Sequence, residues 1–408
     1  MRIVFLSPAG QMGGAERALL DILASLKIAR PDWSLAVIAG AEGDLMGEAR
    51  ELGVNASALA FPRSLAELGD SGSSASGDRL ASIIDVVGRT VLAVPAVVNY
   101  RRRLARAIVS LSPDLIHANG FKMHVLGAWA APQEIPLLWH MHDFVQTRPM
   151  MAPLLRAHVG RCAAIIANSY SVASDVRNVL GPNPEIFTVY NAINLARFTP
   201  IGKVADLDQL AGMAPLDGVG VRVGIVGTFA RWKGHETFLR AISLLPPTAP
   251  VRGYVIGGPL YQTAGSQYTI AELRAMATQM GLADRVGFTG FVNEVAPVMR
   301  ALDIVIHAST RPEPFGLVIA EAMACGRAVI VSAAGGAAEI VKEGIDALVH
   351  EPGDATELAR AIEQLTGDVR LRQRLGQAAA KASVRQFAHD RLAADLVPIY
   401  SLISDRAT

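Results

Sequence analysis

Glu313 and Glu321 stand eight positions apart in a largely apolar stretch, Thr310 to Val341, with the sequence TRPEPFGLVIAEAMACGRAVIVSAAGGAAEIV. Carboxylates at this spacing can each accept both hydrogens of a vicinal diol, one on a ribose and one on another sugar. A solvated surface position is the alternative for both, and Glu321 argues against it because apolar residues flank it on both sides. The pair therefore indicates a site that binds two sets of sugar hydroxyls.

The residues around the two glutamates predict two short helices joined by a buried strand. Prolines on either side of the first glutamate keep the chain extended, and an apolar helix follows over 315–323. The all-apolar run 328–331 is typical of a parallel strand covered on both faces, and the glycines at 335–336 precede a second helix. Helix N-termini at the carboxyl edge of a parallel sheet attract phosphate. We therefore expect the amides around Gly316 and Leu317 to bind one.

A second candidate for phosphate binding is the loop that follows the apolar run 221–226. It carries Arg231 and Lys233 between a predicted strand and a predicted helix. Two cations in such a loop can neutralise a pyrophosphate leaving group. A solvated loop tolerates the same two residues, so the pattern alone leaves both interpretations open.

Together these residues resemble the donor site of the retaining GT-B glycosyltransferases of family 4 (glycosyl transferases group 1). That family includes mannosyltransferases, sucrose-phosphate synthases and lipopolysaccharide glucosyltransferases. The resemblance rests on Glu313-Pro314-Phe315-Gly316, on Glu321, and on Gly335-Gly336 followed by Glu339. Lys233-Gly234 also matches a Lys-Gly pair of the family.

The resemblance implies a role for each matching residue. Glu313 would position the donor sugar, and Glu321 would bind the ribose hydroxyls. Arg231 and Lys233 would stabilise the leaving diphosphate. The donor-binding residues that the resemblance adds are Phe315, Gly316 and Leu317, with Gly290, Phe291 and Val292 in the loop whose backbone meets the nucleobase in relatives. One departure concerns the phosphate: many relatives have arginine after the first glycine of the lysine loop, where this chain has Thr228. Either Arg231 takes over that role or the phosphate is held more weakly.

Two stretches of the first domain resemble the same family. Gly13-Gly14-Ala15-Glu16-Arg17 is similar to its GGxER stretch, which implies that Gly13 lies near the acceptor and Gly14 near the donor phosphate. Three histidines lie near strand ends, and alternation points His140 and His142 the same way. His142 matches the family's histidine beside the donor sugar, so the resemblance assigns the catalytic role to His142 and leaves His117 as an acceptor-side candidate.

Apolar strands alternate with helices along the whole chain, which predicts an α/β protein. The resemblance implies the GT-B fold: two doubly wound Rossmann-like domains that face one another across a cleft, with a C-terminal helix crossing back to the first domain. We expect an acceptor-side domain over 1–196 together with the helix 387–408, a linker over 197–218, and a nucleotide-sugar donor domain over 219–386. Ala192 and Asn194 replace the family's commoner glycine and aspartate at the end of the first domain.

The composition limits the class of protein. A chain of 408 residues suits two or three domains, and a formal net charge of +1 gives no electrostatic case for nucleic acid. Cys162 and Cys325 both stand among apolar residues, which predicts reduced thiols and a cytoplasmic location. The apolar window 83–98 is interrupted by charges and a proline, so we expect no membrane span.

A basic run over 100–106 is typical of a helix face. Such a face binds anionic lipid headgroups, holds a phosphorylated acceptor, or is a solvated cover over a core helix. We prefer the solvated cover, with peripheral association at the inner face of a membrane as the alternative, and take Arg102 as an acceptor-side candidate. The polar, glycine- and serine-rich segment 62–79 predicts a mobile surface loop with a role in acceptor binding.

The reaction that the resemblance implies is retaining transfer of a sugar from a nucleotide-diphosphate sugar to a hydroxyl of a glycan or lipid-linked acceptor. The setting would be polysaccharide, lipopolysaccharide or glycolipid assembly. We see no DxD-type aspartate pair, which agrees with the family's independence of metals, and expect no cofactor. Two alternatives stay open: a GT-B-like sugar-nucleotide epimerase, which needs acid–base carboxylates in the first domain, and a scaffold that binds nucleotide without catalysis.

Overall fold

The structure is a computed structural model that describes residues 1–62, 79–216, 220–259 and 265–406, with the backbone alone over 79–94. The chain divides into two compact units. The first comprises Met1–Ala192 together with the residues from His389 onward, and the second comprises Ile193–Ala388. Each unit is built around one parallel β-sheet.

The first unit alternates strands and helices. In chain order its elements are β1 (Arg2–Ser7), α1 (Gly14–Ala29), β2 (Ser34–Ala39), α2 (Asp44–Glu51), β3 (Asn55–Ala58), α3 (Arg79–Ser110), β4 (Leu115–Asn119), α4 (Phe121–Ala130), β5 (Leu137–Met141), α5 (Met151–His158), β6 (Ala164–Ala167), α6 (Tyr170–Leu180) and β7 (Ile186–Thr188).

The sheet of the first unit has the order β3-β2-β1-β4-β5-β6-β7, and all its pairings are parallel. Every residue of β4 and β5 is buried, as expected for strands with helices on both faces. The strand order reverses between β1 and β4, and ligands of open α/β sheets bind outside the carboxyl ends of the strands at such a reversal. β4 ends there with Asn119, and His142 follows β5 directly.

The second unit repeats the pattern. Its elements are α7 (Leu207–Ala211), β8 (Val221–Val226), α8 (His235–Leu244), β9 (Val251–Ile256), α9 (Ile270–Gln279), β10 (Val286–Gly290), α10 (Val295–Ala301), β11 (Ile304–His307), α11 (Leu317–Ala324), β12 (Ala328–Ser332), α12 (Gly336–Glu339), β13 (Leu348–His350), α13 (Ala355–Gly367) and α14 (Val369–Phe387).

The sheet of the second unit is also parallel throughout, in the order β10-β9-β8-β11-β12-β13. Its strand order reverses between β8 and β11. The loop after β8 carries Lys233, and the loop after β11 carries Glu313. The fold therefore brings together, at one sheet edge, two charged residues that are eighty positions apart in the chain.

The last helix, α15 (His389–Asp405), packs on α1 in the first unit. Leu392, Leu396 and Tyr400 of this helix are buried in the same hydrophobic cluster as Phe5 and Leu19. The predicted fold class is confirmed: two doubly wound Rossmann-like domains, with a C-terminal helix that returns to the first.

The segment that composition predicts as a linker, 197–218, contains the helix α7. Asp208 on this helix is buried and accepts hydrogen bonds from Arg222, Arg252 and Tyr254. These bonds hold α7 against β8 and β9 of the second sheet, and α7 lies within the second unit.

The basic run lies on α3, which continues through Pro95 to Ser110. Tyr100, Leu104 and Ile108 recur every four residues and are buried together, so one apolar stripe spans the basic run and fixes it against the core. No helix among the described residues has the length and the apolar character needed to span a membrane. The predicted acceptor loop over 62–79 lies, from residue 63 to residue 78, outside the described residues.

Candidate active site

Glu313 is the centre of a compact group of polar side chains in the second unit. Its Oε1 lies 2.5 Å from Nζ of Lys233, and its Oε2 lies 2.7 Å from Nε2 of His307. Ser309 donates a third hydrogen bond, 2.8 Å long, to the same Oε2. Glu313, His307 and Ser309 are buried, and the side chain of Lys233 is 23% exposed.

Burial alone would raise the pKa of Glu313, since it disfavours a charged carboxylate. The positive charge of Lys233 and the hydrogen bonds from Lys233 and His307 outweigh that effect, and the pKa lies well below its usual range. Glu313 is therefore ionised at any physiological pH, and it forms a buried ion pair with Lys233. The ammonium of Lys233 also lies 4.4 Å from the centre of the Trp232 ring, on its face.

A close backbone contact places the Glu313 loop. The amide of Gly336 donates a 2.7 Å hydrogen bond to the carbonyl oxygen of Glu313, and Gly335 has a φ of +67°. A Cβ atom on Gly335 would lie 2.5 Å from that same carbonyl oxygen, so only glycine allows this approach. Gly316, with a φ of +100°, then turns the chain into α11, whose first amides face outward from the helix N-terminus.

Arg231 is bound elsewhere in this conformation. Its guanidinium pairs with Glu272 at 3.2 Å, donates to the carbonyl of Gly265 at 3.0 Å, and lies over the ring of Tyr268. Lys233, and not Arg231, is therefore the cation that the structure brings to Glu313. The expectation that Arg231 compensates for Thr228 at a phosphate requires Arg231 to leave Glu272.

The remaining donor-side residues fall into two groups. Glu321 lies partly buried on α11, and Phe315 is buried edge-on against the ring of Phe387. Gly290 ends β10 with a φ of +72°, and Phe291, which follows it, is 71% exposed. The structure thus gives Phe315 a packing role and leaves the ring of Phe291 accessible.

In the first unit, His142 is bound to Asn119 at the carboxyl ends of β5 and β4. Nε2 of His142 lies 2.7 Å from Oδ1 of Asn119, and Nδ2 of Asn119 donates to the carbonyl of Ala15 at 3.3 Å. This chain of contacts connects the predicted histidine to the Gly13-Gly14 turn, since Gly14 and Ala15 open α1. Burial lowers the pKa of His142 to about 4, so its ring is neutral at physiological pH.

His117 is an interior residue, which corrects its assignment to the acceptor side. It has no exposed surface, and its two ring nitrogens contact Tyr400 at 2.7 Å and His140 at 3.2 Å. His117 lies two residues before Asn119 on β4, so it is further from the carboxyl edge of the sheet. Arg102, the other acceptor-side candidate, is exposed on α3.

His307 and Ser309 were not predicted from the sequence as site residues. The signal that could have found His307 is the one used for His117, a histidine at the carboxyl end of an apolar strand, here β11. Asn119 shares that position on β4 and was likewise not assigned a role. The carboxyl end of a strand is therefore a good indicator of a site residue, whereas the residue type alone does not show which of these strand-end residues belongs to the site.

Two family models match this chain: "Glycosyl transferases group 1" over residues 220–382 and "Glycosyltransferase Family 4" over residues 12–197. The chain is 31% identical to a D-inositol 3-phosphate glycosyltransferase of Jonesia denitrificans over 315 residues, which cover 70% of this chain and 71% of that one. It is 28% identical to the lipopolysaccharide core biosynthesis glycosyltransferase LpsE of Rhizobium meliloti, over 66% of this chain and 74% of that one.

Among solved structures, the chain is similar to Anabaena HepE, which was crystallised with UDP and glucose. That match has a TM-score of 0.77 and 26% identity, and it covers 98% of this chain and 99% of HepE. The sucrose-phosphate synthase of Thermosynechococcus elongatus, with a TM-score of 0.73 and 21% identity, shares the fold. The chain therefore belongs to the group 1 (family 4) glycosyltransferases, and its two sheets are the two Rossmann-like domains of the GT-B fold.

Proposed function

We propose that this glycosyltransferase moves a sugar from a nucleotide-diphosphate sugar to an acceptor hydroxyl with retention of configuration. The observation that carries the proposal is the Lys233–Glu313 pair just before α11, in a chain similar over almost its whole length to HepE. HepE structures contain UDP, UDP with glucose, and UDP-glucose. A UDP-sugar is accordingly our first candidate for the donor.

The chemistry asks the protein to stabilise charge on the leaving group. Breaking the bond between sugar and diphosphate leaves negative charge on the diphosphate, and a nearby ammonium stabilises it more strongly in a site that excludes water. Lys233 supplies that ammonium, and the free amides at the start of α11 supply further donors. Because these groups provide the positive charge, we propose that the reaction needs no metal ion.

Retention follows, in this proposal, from attack by the acceptor on the same face that the diphosphate leaves, with the leaving phosphate accepting the acceptor's proton. Glu313 therefore serves neither as a nucleophile nor as an acid: its carboxylate is ionised and three hydrogen bonds hold it. His142 would border the donor sugar as a neutral ring. Glu321 would bind the ribose diol, and the loop Gly290–Val292 would border the base.

The acceptor is a hydroxyl of a glycan or of a lipid-linked glycan. Two relatives support this class: one is named for lipopolysaccharide core biosynthesis and one for an inositol phosphate acceptor. Both acceptors are polyols, and the first is part of a glycolipid. We therefore propose a place in polysaccharide, lipopolysaccharide or glycolipid assembly.

The test is calorimetric titration of the purified chain with UDP, GDP and ADP in the presence of a chelator. We expect one nucleotide to bind well above the others, and Glu321→Ala to weaken its binding by about 1–3 kcal/mol, the cost of unpairing buried hydroxyls. The matched control is the 2′,3′-dideoxy nucleotide, whose affinity should be the same in both proteins. Absence of binding to any nucleotide by the folded protein would favour a non-catalytic scaffold, and equal loss of both ligands would contradict the ribose assignment.

A further inference from the structure

Glu313 receives its hydrogen bonds unequally on its two oxygens. Oε2 accepts from both His307 and Ser309, at 2.7 and 2.8 Å, whereas Oε1 accepts from Lys233. An ionised carboxylate can accept about four hydrogen bonds, two on each oxygen. Oε2 therefore has both of its acceptor positions filled by protein donors. Oε1 uses one position for Lys233 and has one acceptor position left.

This arrangement fixes the orientation of the carboxylate. Rotating the carboxylate plane out of this orientation would break both bonds to the inner oxygen in a buried place, where an unpaired donor is costly, and a half-turn only exchanges two equivalent oxygens. His307 and Ser309 are 7% and 1% exposed, so water does not replace the lost bonds. The position of Oε1, and with it the position of the ammonium that it holds, is determined by two residues that do not contact Lys233.

The neighbouring strands hold those two residues in turn. Ser332, at the end of β12, donates a 2.6 Å hydrogen bond to the carbonyl of Ser309. Nε2 of His350, at the end of β13, lies 3.2 Å from the carbonyl oxygen of His307. The ends of β11, β12 and β13 therefore form a rigid support beneath the Glu313–Lys233 pair.

We propose that His307 and Ser309 are positioning residues for leaving-group stabilisation: through Glu313 they hold the ammonium of Lys233 at the place where the donor diphosphate binds. This inference rests on the proposed function, because it takes the diphosphate as the ligand of Lys233. It assigns a role to two buried residues that contact neither sugar nor nucleotide themselves. Glu313 acts through the lysine, and any contact with a sugar hydroxyl is confined to Oε1.

The test measures the binding of UDP and of uridine to the full chain by calorimetry. We expect His307→Leu to weaken UDP binding about tenfold, as the loss of one hydrogen bond to a charged group typically does, and to leave uridine binding unchanged. His307→Gln should restore most of the affinity, because its side-chain amide can donate to Oε2 from about the same place. If His307 served folding alone, His307→Leu would reduce the affinity for both UDP and uridine, and His307→Gln would not restore UDP binding in particular.

A double-mutant cycle with Lys233→Met tests whether the effect passes through the lysine. In the Lys233→Met background, His307→Leu should cause no further loss of UDP affinity. For Ser309→Ala, the matched control is Ser383→Ala, which removes another buried hydroxyl in the same unit, one that donates to the carbonyl of Ala380. Only Ser309→Ala should weaken UDP binding.

A measurement without ligand separates this inference from the proposed function. In protein labelled with ¹⁵N-lysine, the ammonium resonance of Lys233 is assigned by comparison with Lys233→Met. It should shift in His307→Leu and return in His307→Gln. If it does not move, or if the two substitutions weaken UDP binding additively, the positioning role is overturned. If it moves as expected but Lys233→Met binds UDP like the unaltered chain, the positioning of Lys233 stands and its assignment to the diphosphate fails.

Discussion

Four histidines of the first domain lie close to one another around the ends of β4 and β5, three of them buried and the fourth, His142, half-buried. They are His117, His124, His140 and His142, and burial lowers the pKa of each below its usual value. His124 shows the reason most clearly. Its Nε2 lies 3.1 Å from two carbonyl oxygens, of Ala118 and His140, and its buried Nδ1 has no hydrogen-bond partner among the described residues. A second proton would place an unpaired charge in the core.

These histidines predict that the protein loses stability in mild acid. The pKa of His124 is about 3 and that of His142 about 4 in the folded chain, whereas an unfolded histidine has a pKa of about 6.5. As the pH falls below about 6.5, these histidines bind protons in the unfolded chain but not in the folded chain, so the equilibrium shifts towards unfolding. Between about pH 6.5 and 4, each such histidine contributes up to ~1.4 kcal/mol per pH unit to this loss.

The measurement is the melting temperature of the chain and of His124→Gln between pH 7.5 and 4.5. Glutamine keeps a donor for the carbonyl oxygens and cannot be protonated, so the variant should lose less stability per pH unit than the unaltered chain. Parallel pH dependences in the two proteins would show that His124 takes no part in the acid effect.

The sequence was informative about single charged residues and much less about their partners. Glu313 and Lys233 could be singled out because Glu313-Pro314-Phe315-Gly316 and Lys233-Gly234 resemble motifs of a known family. Their contact could not, since it depends on strand order. His307 was missed for a different reason: its bond to Glu313 depends on a turn of the chain between β11 and α11 that residue types do not specify.

At the scale of elements, the site depends on a close crossing of two loops in the second domain. Gly234 joins the Lys233 turn to α8 with a φ of +80°. A Cβ atom at this position would lie 1.8 Å from the carbonyl oxygen of Ala308, which follows β11. The lysine loop and the Glu313 loop can approach only because residue 234 is glycine.

Gly234→Ala should therefore both destabilise the second domain and separate Lys233 from Glu313. The matched control is Gly212→Ala, at a position that also has a positive φ, +66°, but with open space around its Cβ. The control should cost about 1–2 kcal/mol, the strain of a left-handed conformation alone, and Gly234→Ala should cost more. Denaturant unfolding and UDP titration of both variants measure this. Equal losses in the two variants would mean that the loop crossing adds nothing to the strain.

Strands and glycine turns were the most predictable elements. The run 328–331 lies within β12, and the strand over 221–226 matches β8 residue for residue, because fully buried parallel strands have a distinctive apolar composition. The segment over 197–218 was not predictable from composition. Its prolines and glycines indicate a linker, while the position of α7 depends on four hydrogen bonds to Asp208, two of them from arginines on strands that lie further along the chain.

At the scale of the whole molecule, the first domain is assembled from two separate parts of the chain. α15 supplies Leu392, Leu396 and Ile399 to the core cluster of that domain. Tyr400 adds a buried ring whose hydroxyl contacts Nδ1 of His117 at 2.7 Å. The helix is therefore part of the first domain's interior and not an appendage on its surface.

Tyr400→Phe should lower the stability of the first domain by about 1–3 kcal/mol, because it leaves a nitrogen of the buried His117 unpaired. Tyr254→Phe is the matched control: it removes a buried tyrosine hydroxyl, here bound to Asp208, from the second unit. Scanning calorimetry can distinguish the two, since each variant should shift the unfolding of its own domain. A shift of the same transition by both variants would contradict the expectation that each domain unfolds in a transition of its own.

The order of the two parts along the chain has a consequence for biosynthesis. Residues 1–192 leave the ribosome first, yet the helix that completes their core follows only after the whole of residues 193–388. The second domain is one continuous segment and can finish folding while α1 still exposes the apolar face that α15 will cover. Of the two domains, the one synthesised first is thus the last to be completed. Chaperones would bind the apolar face of α1 that stays uncovered during translation.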